Sequence, residues 1–191
     1  MSPPFRSSNI LFFGTIVAIF AAQAIVLWAV GREPICQCGY VKLWHGVVLS
    51  SENSQHIADW YTPSHIIHGF IFYWLTWLIR PKWPVLARLA VALGVEVTWE
   101  ILENTDMIID RYREATVSLD YYGDSIINSL SDTAASLIDF LLAWRLPVAV
   151  TIAIALIFEV FTGIVIRDNL TLNIIMLLWP LEWIREWQAG G

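Results

Sequence analysis

Residues 9–30 read NILFFGTIVAIFAAQAIVLWAV, an uncharged apolar run that is interrupted mainly by Gln23. An α-helix of about 20 such residues is long enough to cross the roughly 30 Å hydrocarbon layer of a bilayer. The segment Ala22-Gln23-Ala24 resembles a signal-peptide cleavage site. The apolar run continues beyond it to Val30, however, which favours an uncleaved anchor over a cleaved signal peptide. The stretch therefore predicts a transmembrane helix.

Further apolar runs follow, separated mostly by short polar or basic turns. Pro63, Pro84 and Pro147 stand at the starts of three runs, where a helix does not need the missing N–H of proline. We predict one all-α domain over residues 1–191, a polytopic transmembrane bundle of five or six helices. The predicted helices cover residues 10–30, 63–79, 84–109, 123–145, 147–166 and 170–187, with an extracytoplasmic loop at 31–62. Because the last of these contains Pro180, it is predicted to cross, to half-cross or to lie flat.

The composition also points to a membrane protein. The chain is 57% hydrophobic and 15% charged, whereas soluble domains average roughly 45–50% and about 25%. Many of the 11 Trp residues lie near the ends of apolar runs, and Trp favours the membrane–water interface. The net charge of -6 leaves no basic stripe, so we predict the lipid bilayer as partner and exclude nucleic acid.

Basic residues in short loops set the orientation of a membrane protein. The compact turn Arg80-Pro81-Lys82 and Arg145 favour a cytoplasmic N-terminus. In this orientation the inner side holds Arg6, Arg80, Lys82, Arg88 and Arg145, with Arg185 if a sixth helix crosses, and the outer side holds Arg32, Lys42, Arg111, Arg113 and Arg167.

Ionisable and amide residues recur at helical spacing towards one end of three predicted helices. Residues three or four positions apart share a helix face, and a charged face is expected to point into the bundle instead of into lipid. The three sets are His65 and His68; Glu96, Glu100, Glu103 and Asn104; and Asp124, Asn128 and Asp132. Because the three helices alternate in direction, we predict that these sets meet in one polar pocket near the outer face, with Asp59 beside it.

Imidazole and carboxylate groups on neighbouring helical turns can chelate a metal ion, and this mixture suits Zn, Mn or Fe. We predict a divalent metal held by His65, His68, Glu100, Glu103 and Asp124, with Glu96 or Asp132 as a catalytic base. The alternative is a structural hydrogen-bond network between helices, with the histidines at the interface and Asp124 as a first-turn acid. Asp139 lies nearer the opposite end of its helix and is left outside the cluster.

The two cysteines, Cys36 and Cys38, are separated only by Gln37. This spacing is strained for a mutual disulfide, so we expect unpaired or structural cysteines in a loop. Metal binding or redox chemistry is the alternative.

Three motifs resemble an uncharacterised family of multi-pass inner-membrane proteins found mainly in alphaproteobacteria. The motifs are His56-x-x-Asp59-Trp60-Tyr61-Thr62-Pro63-Ser64-His65-x-x-His68-Gly69, Trp99-Glu100-x-x-Glu103-Asn104 and Tyr122-Gly123-Asp124-Ser125-x-x-Asn128-Ser129-x-x-Asp132. The resemblance covers most of the chain and implies an inner-membrane location without an assigned activity. A looser similarity to VanZ-like membrane proteins follows from the acidic pattern of the third and fourth helices, and it implies no activity.

Three functions are compatible with this pattern. The first is an envelope binding or scaffold protein with a membrane-protein partner or a homo-oligomer. The second is a metal-assisted membrane enzyme that acts on a lipid or an envelope precursor. The third is a small proton-linked transporter in which Glu96, Asp132 and Glu159 relay protons. Metal content distinguishes the first two, and proton flux tests the third.

Overall fold

The computed structural model describes residues 5–190, with side chains from residue 12 onward, so the side chain of Arg6 lies outside the described residues. Every regular element in this part of the chain is a helix, which confirms the all-α class. The elements are α1 (Phe5–Ala29), α2 (Thr62–Ile79), α3 (Val85–Glu103), α4 (Asp106–Ala115), α5 (Ile126–Arg145), α6 (Val148–Val165), α7 (Leu170–Leu178) and α8 (Glu182–Gln188).

Within residues 5–190, three helices are long and apolar enough to cross a membrane: α1 over Phe12–Ala29, α5 and α6. α6 presents an apolar surface that no other part of the described chain covers. Ile157 and Ile164 of this helix are 63% and 75% exposed. A contiguous apolar surface of this kind is unfavourable in water and favourable in lipid. The chain is therefore a helical membrane protein.

Two predicted helices are each divided in the structure. The helix predicted over residues 84–109 ends at Glu103, and α4 starts separately at Asp106. Asn104 causes the break, because its Nδ2 donates to the carbonyl of Glu100 over 2.9 Å and occupies an acceptor at the helix end. The predicted helix 170–187 divides at Pro180 into α7 and α8. At 9 and 7 residues, both pieces are too short to span a bilayer.

The helix predicted from residue 123 starts at Ile126, three residues later. Ser125 caps it, since its side chain accepts from the backbone N–H of Asn128 over 3.3 Å. Gly123 has a φ of 96°, a left-handed conformation that favours glycine. Asp124 therefore lies in the turn before the helix and not in its first turns.

α2 and α5 pack very closely at Gly69. A Cβ atom at this position would lie 2.4 Å from the carbonyl oxygen of Ser136 and 2.8 Å from the backbone nitrogen of Phe140. Phe140 belongs to an apolar core with Leu89 and Leu93 of α3. This core occupies one end of α2, α3 and α5, and the polar residues collect at the other end.

The predicted loop covers that polar end. The backbone N–H groups of Ser125 and Ile126 donate to the carbonyls of Ser54 over 3.0 Å and Glu33 over 2.8 Å. The side chain of Gln55 donates to the carbonyl of Gly123 over 2.7 Å. The loop therefore satisfies donors at the start of α5 and shields the polar end of the bundle.

Cys36 and Cys38 are joined by a disulfide, which corrects the expectation of unpaired cysteines. A tight turn makes the bond feasible: the N–H of Gly39 donates to the carbonyl of Cys36 over 3.0 Å, and Gly39 has a φ of 83°. The two Cα atoms are 5.1 Å apart, within the usual range for disulfides.

Candidate functional site

His65 of α2 lies at the centre of a buried cluster. Its Nδ1 is 2.8 Å from Oε1 of Glu96 and 3.1 Å from Oε1 of Glu100. One turn further along α2, Nδ1 of His68 is 3.1 Å from Oε2 of Glu96. Glu96 thus contacts both imidazoles, one with each carboxylate oxygen. The i, i+3 spacing of the histidines and the i, i+4 spacing of the glutamates produce this arrangement.

Glu100 is fully buried and held from its other side. The hydroxyl of Ser129 donates to Oε2 of Glu100 over 2.6 Å. Gln23 of α1 in turn donates to the Ser129 hydroxyl over 2.9 Å and accepts from Thr133 over 3.0 Å. The remaining oxygen of Glu100, Oε1, is buried and makes no hydrogen bond. Glu100 is therefore oriented by α5 and presents a free oxygen to His65.

The predicted site did not include Gln23, Ser129 and Thr133. The available signal was a lone amide in an otherwise apolar membrane helix, because such residues usually face the bundle interior. Gln23 is 0% exposed, and through Ser129 it connects α1 to the cluster.

Asp124 is fixed beside the cluster by three contacts. Its carboxylate accepts from Nδ2 of Asn104 over 2.8 Å and from the hydroxyl of Tyr121 over 3.0 Å. Its backbone N–H donates to Oδ1 of Asn104 over 2.7 Å. Burial raises the pKa of Asp124, and the hydrogen bonds from Asn104 and Tyr121 oppose that rise. Asn104 therefore positions Asp124, and its own side chain is not among those that line the cavity described below.

Asp132 of α5 faces His65 from the other side. Its Oδ1 accepts from the hydroxyl of Thr62 over 3.2 Å. Its Oδ2 is 4.0 Å from Nε2 of His65, too far for a hydrogen bond. Asp132 thus has one oxygen without a close polar partner from His65 or Thr62.

A cavity of about 370 Å³ lies over the cluster. His65, His68, Glu103, Asp124 and Asp132 contribute to a polar part of its wall. Aliphatic and aromatic side chains form another part, namely Ile71, Phe72, Val95, Trp99, Leu170 and Ile174. A cavity that combines these two surfaces suits a ligand with a polar and an apolar portion.

A second group of polar side chains also lines this cavity, and the predicted site did not include it. Tyr61 donates to Oδ2 of Asp168 over 3.2 Å, and Tyr112 donates to Asn173 over 2.7 Å. Burial raises the pKa of Asp168 to about 6. Tyr61 directly precedes α2, whereas Tyr112 belongs to α4, and Asp168 and Asn173 lie on either side of the start of α7.

The remaining predicted residues lie outside the cluster. Asp59 accepts from the backbone N–H groups of Ser54 over 3.0 Å and Tyr61 over 2.7 Å, and burial raises its pKa. Asn128 lines the cavity but donates to the carbonyl of His56 over 2.8 Å. Both side chains therefore hold the loop in place.

Glu159 and Asp139 are also separate from the cluster. The carboxylate of Glu159 accepts from the backbone of Leu170 over 3.0 Å and from the hydroxyl of Thr171 over 2.6 Å. It thus binds the start of α7. The Cβ of Asp139 lies beside Gly69, at the close contact between α2 and α5.

Two sets of side chains around His65 have the geometry of a metal site. Donor atoms of His65, His68 and Glu96 lie within 4.8 Å of one another, as do those of His65, Glu100 and Glu103. His65 belongs to both sets. Imidazole nitrogen and carboxylate oxygen suit Zn, Mn or Fe, and the free Oε1 of Glu100 is an available ligand atom.

The charge of the cluster also favours a bound metal ion. Six carboxylates around it are at most 8% exposed: Asp59, Glu96, Glu100, Glu103, Asp124 and Asp132. Among the described residues, Lys and Arg form ion pairs with other acids and with none of these six. Buried carboxylates without cations are costly. They are stabilised by protonation, by charged histidines or by a bound cation.

These features define a helical membrane protein with a buried histidine–carboxylate cluster beneath an amphipathic cavity. Residues 27–190 match the family model described as "Protein of unknown function (DUF2585)". The chain belongs to this family, as the sequence motifs predicted, and the matched range contains every cluster residue discussed above except Gln23.

Close relatives occur in several alphaproteobacteria. A UPF0314 protein of Rhizobium etli (strain CIAT 652) is 59% identical, over 94% of this chain and 92% of its own length. UPF0314 proteins of Paracoccus denitrificans and Agrobacterium fabrum are 57% and 54% identical, over 94% and 96% of this chain and 92% of their own lengths. No solved structure matches the chain. The looser similarity to VanZ-like proteins stays a prediction.

Proposed function

We propose that the protein is a metal-dependent membrane enzyme that acts on the polar head of an amphiphile, such as a lipid or an envelope precursor. The observation that carries this proposal is the position of the cluster around His65 beside a cavity with polar and apolar walls, which His65, His68 and Asp132 themselves line. A simple structural network would not require a cavity of this size beside it.

The proposed ligands are His65, His68, Glu96, Glu100 and Glu103, whose donor atoms form the two overlapping sets. A divalent cation held by these residues would supply a Lewis acid for a substrate oxygen and would lower the pKa of bound water. Asp124 was also predicted as a ligand, but its carboxylate is engaged by Asn104 and Tyr121. We therefore assign Asp124 a positioning role.

Asp132 is the proposed general base. Glu96 was the other candidate, but both of its oxygens contact histidines. Asp132 lines the cavity and keeps an oxygen 4.0 Å from the imidazole of His65. A carboxylate in this position can accept a proton from an attacking water or hydroxyl group.

We also propose that α2 and α3 cross the membrane, so that the bundle has five crossings with α1, α5 and α6. α2 and α3 have 18 and 19 residues, close to the length needed. The acids of α3 are buried against α2 and α5, where they would not face lipid. With the N-terminus in the cytoplasm, the cavity lies near the outer face of the inner membrane.

Metal content and lipid turnover of the purified protein test the proposed enzyme. We expect stoichiometric Zn, Mn or Fe in detergent-purified protein and its loss in His65→Ala. In liposomes of bacterial inner-membrane lipid, mass spectrometry should show metal-dependent conversion of one lipid class. Asp132→Asn should slow that conversion about 100-fold or more.

Glu159→Gln is the matched control, because this acid lies outside the cluster. It should retain both metal and turnover. Metal-free wild-type protein, or unchanged turnover in a metal-free His65→Ala variant, would contradict the proposed function.

A further inference from the structure

A second group of metal-ligating side chains lies in the loop, separate from the cavity cluster. Atoms of Cys36, Cys38, Glu52 and His56 that can ligate a metal all lie within 4.8 Å of one another. Cys36 and His56 are 3% and 0% exposed, Glu52 is half-buried and Cys38 is exposed. The group is thus built into the loop and is reachable from one side.

The non-sulfur members of this group are already oriented. Nε2 of His56 is 3.0 Å from Oε2 of Glu52. Nδ1 of His56 accepts from the backbone N–H of Lys42 over 3.2 Å, and the ring stacks on Tyr40 with centroids 5.8 Å apart. The contact with Lys42 places the ring proton on Nε2, and this nitrogen faces Glu52.

In the oxidised form, the two sulfur atoms bond to each other and cannot act as thiolate ligands. We propose that reduction of the Cys36–Cys38 disulfide by a dithiol creates a metal site for Zn²⁺ or a similar soft divalent cation, with Cys36, Cys38, His56 and Glu52 as ligands. Two thiolates, one imidazole and one carboxylate form a four-ligand set that suits tetrahedral zinc.

The chemistry balances in two steps. A dithiol reduces the protein disulfide by exchange: two protein thiols form, and the dithiol becomes a cyclic disulfide. The cation then replaces the two thiol protons and binds Nε2 of His56, whose ring proton moves to Nδ1. This change of tautomer requires that the backbone N–H of Lys42 releases Nδ1. Lys42 lies 2.6 Å from Glu52. Its ammonium, together with the divalent cation, balances the charges of the two thiolates and Glu52.

This site differs from the cavity cluster in its chemistry. The cavity offers only nitrogen and oxygen ligands, whereas the loop site adds sulfur. Metal binding in the loop would depend on the redox state of the compartment, while binding in the cavity would not.

The test is a titration of detergent-purified protein with Co²⁺, which forms a thiolate-to-cobalt charge-transfer band only when sulfur ligates the metal. One sample is reduced with dithiothreitol, desalted without oxygen and titrated. The other sample stays oxidised. We expect the charge-transfer band in the reduced sample, and its intensity should saturate at one cobalt ion per chain. The oxidised sample should show no band.

Variants distinguish the loop site from the cavity site. His65→Ala should leave the sulfur band unchanged, whereas Cys36→Ser should abolish it. His56→Gln should weaken cobalt affinity about tenfold or more, and His45→Gln, a neighbouring histidine outside the ligand group, should not. Without any variant, Zn²⁺ should also protect both thiols of the reduced wild type from alkylation. Reduced wild type that gives no sulfur band and no zinc protection would overturn the proposal.

Discussion

At the residue scale, Glu100 shows how the chain stabilises a buried acid. Ser129 holds one of its oxygens, and His65 lies 3.1 Å from the other. The spacing of Glu96, Glu100 and Glu103 along the chain predicted that they share one helix face. Because charged side chains are costly in lipid, the sequence also predicted that this face points into the bundle. Gln23 could not be assigned in this way. Its partner Ser129 is 106 positions away in the sequence, and no local pattern links the two.

Removal of the Ser129 hydroxyl should destabilise the protein. Ser129→Ala leaves Oε2 of Glu100 without its donor and Nε2 of Gln23 without its side-chain acceptor. Unsatisfied buried polar groups cost about 1–3 kcal/mol each. Thermal unfolding in detergent should therefore shift to a lower temperature.

Ser131→Ala is the matched control. The hydroxyl of Ser131 donates only to the carbonyl of Ile127 within its own helix, over 2.7 Å. Its loss should change stability by a few tenths of a kcal/mol at most, in the range of ordinary surface substitutions. Equal shifts for Ser129→Ala and Ser131→Ala would contradict the proposed support of Glu100.

Asp168 should make stability depend on pH. Burial raises its folded pKa to about 6, above the model-peptide value of 3.8. The folded state therefore binds the proton more tightly, and the contribution of Asp168 to stability falls as pH rises between about 4 and 6. Asp168→Asn should remove this dependence and raise stability at pH 7 by about 1–3 kcal/mol.

Unfolding of wild type and Asp168→Asn should be compared from pH 4 to pH 7. The stability difference should grow with pH and level off above the folded pKa. Asp120→Asn, which removes an exposed loop carboxylate, should show no such trend. A difference between wild type and Asp168→Asn that is constant over the whole pH range would refute the raised pKa.

At the element scale, apolar runs predicted where helices lie better than where they end. The ends depend on side-chain hydrogen bonds that a hydropathy pattern does not contain. Asn104 ends α3 by bonding to the carbonyl of Glu100 and also holds Asp124. The cover formed by the loop was likewise hidden, because its hydrogen bonds to the start of α5 join distant parts of the sequence.

Gly69 should be essential for the contact between α2 and α5. Gly69→Ala would place a methyl group 2.4 Å from the carbonyl oxygen of Ser136, which forces the helices apart. Overpacking of this kind costs about 1–3 kcal/mol or more. Because His65 is on α2 and Ser129 on α5, metal content should fall together with thermal stability.

Gly94→Ala provides the control for this substitution. No atom lies within 4 Å of a Cβ at Gly94, and alanine favours helix over glycine by about 1 kcal/mol. Gly94→Ala should therefore be neutral or stabilising. If the Gly69→Ala protein were as stable as the Gly94→Ala protein, the proposed close contact between α2 and α5 at Gly69 would be contradicted.

At the scale of the whole molecule, the alternating direction of the helices brings distant polar residues together. The sequence predicted this convergence from topology, and the structure places His65, Glu96 and Glu100 within hydrogen-bonding distance. The cavity walls from α4 and α7 could not be predicted. The wall from α4 depends on the break at Asn104, and the wall from α7 depends on the turn at residues 167–169, which lets this helix start anew.

The proposed topology predicts which loops face each side of the membrane. Single cysteines at Asp120 and Lys82, introduced into a chain with serine at positions 36 and 38, should react differently with a membrane-impermeant maleimide. Asp120→Cys should be labelled in intact spheroplasts, and Lys82→Cys only after permeabilisation. Labelling of both from the outside would show that α3 does not cross. Labelling of Lys82→Cys alone would show that the protein has the opposite orientation in the membrane.

If the buried histidine–carboxylate cluster holds a divalent cation, anomalous X-ray scattering from crystals grown with Mn²⁺ should locate it. We expect an anomalous peak about 2.0–2.4 Å from Nδ1 of His65 and from carboxylate oxygens of Glu96 or Glu100. A map without a peak at the cluster, with Nδ1 of His65 still hydrogen-bonded to Glu96 in a metal-saturated crystal, would contradict the proposed metal site.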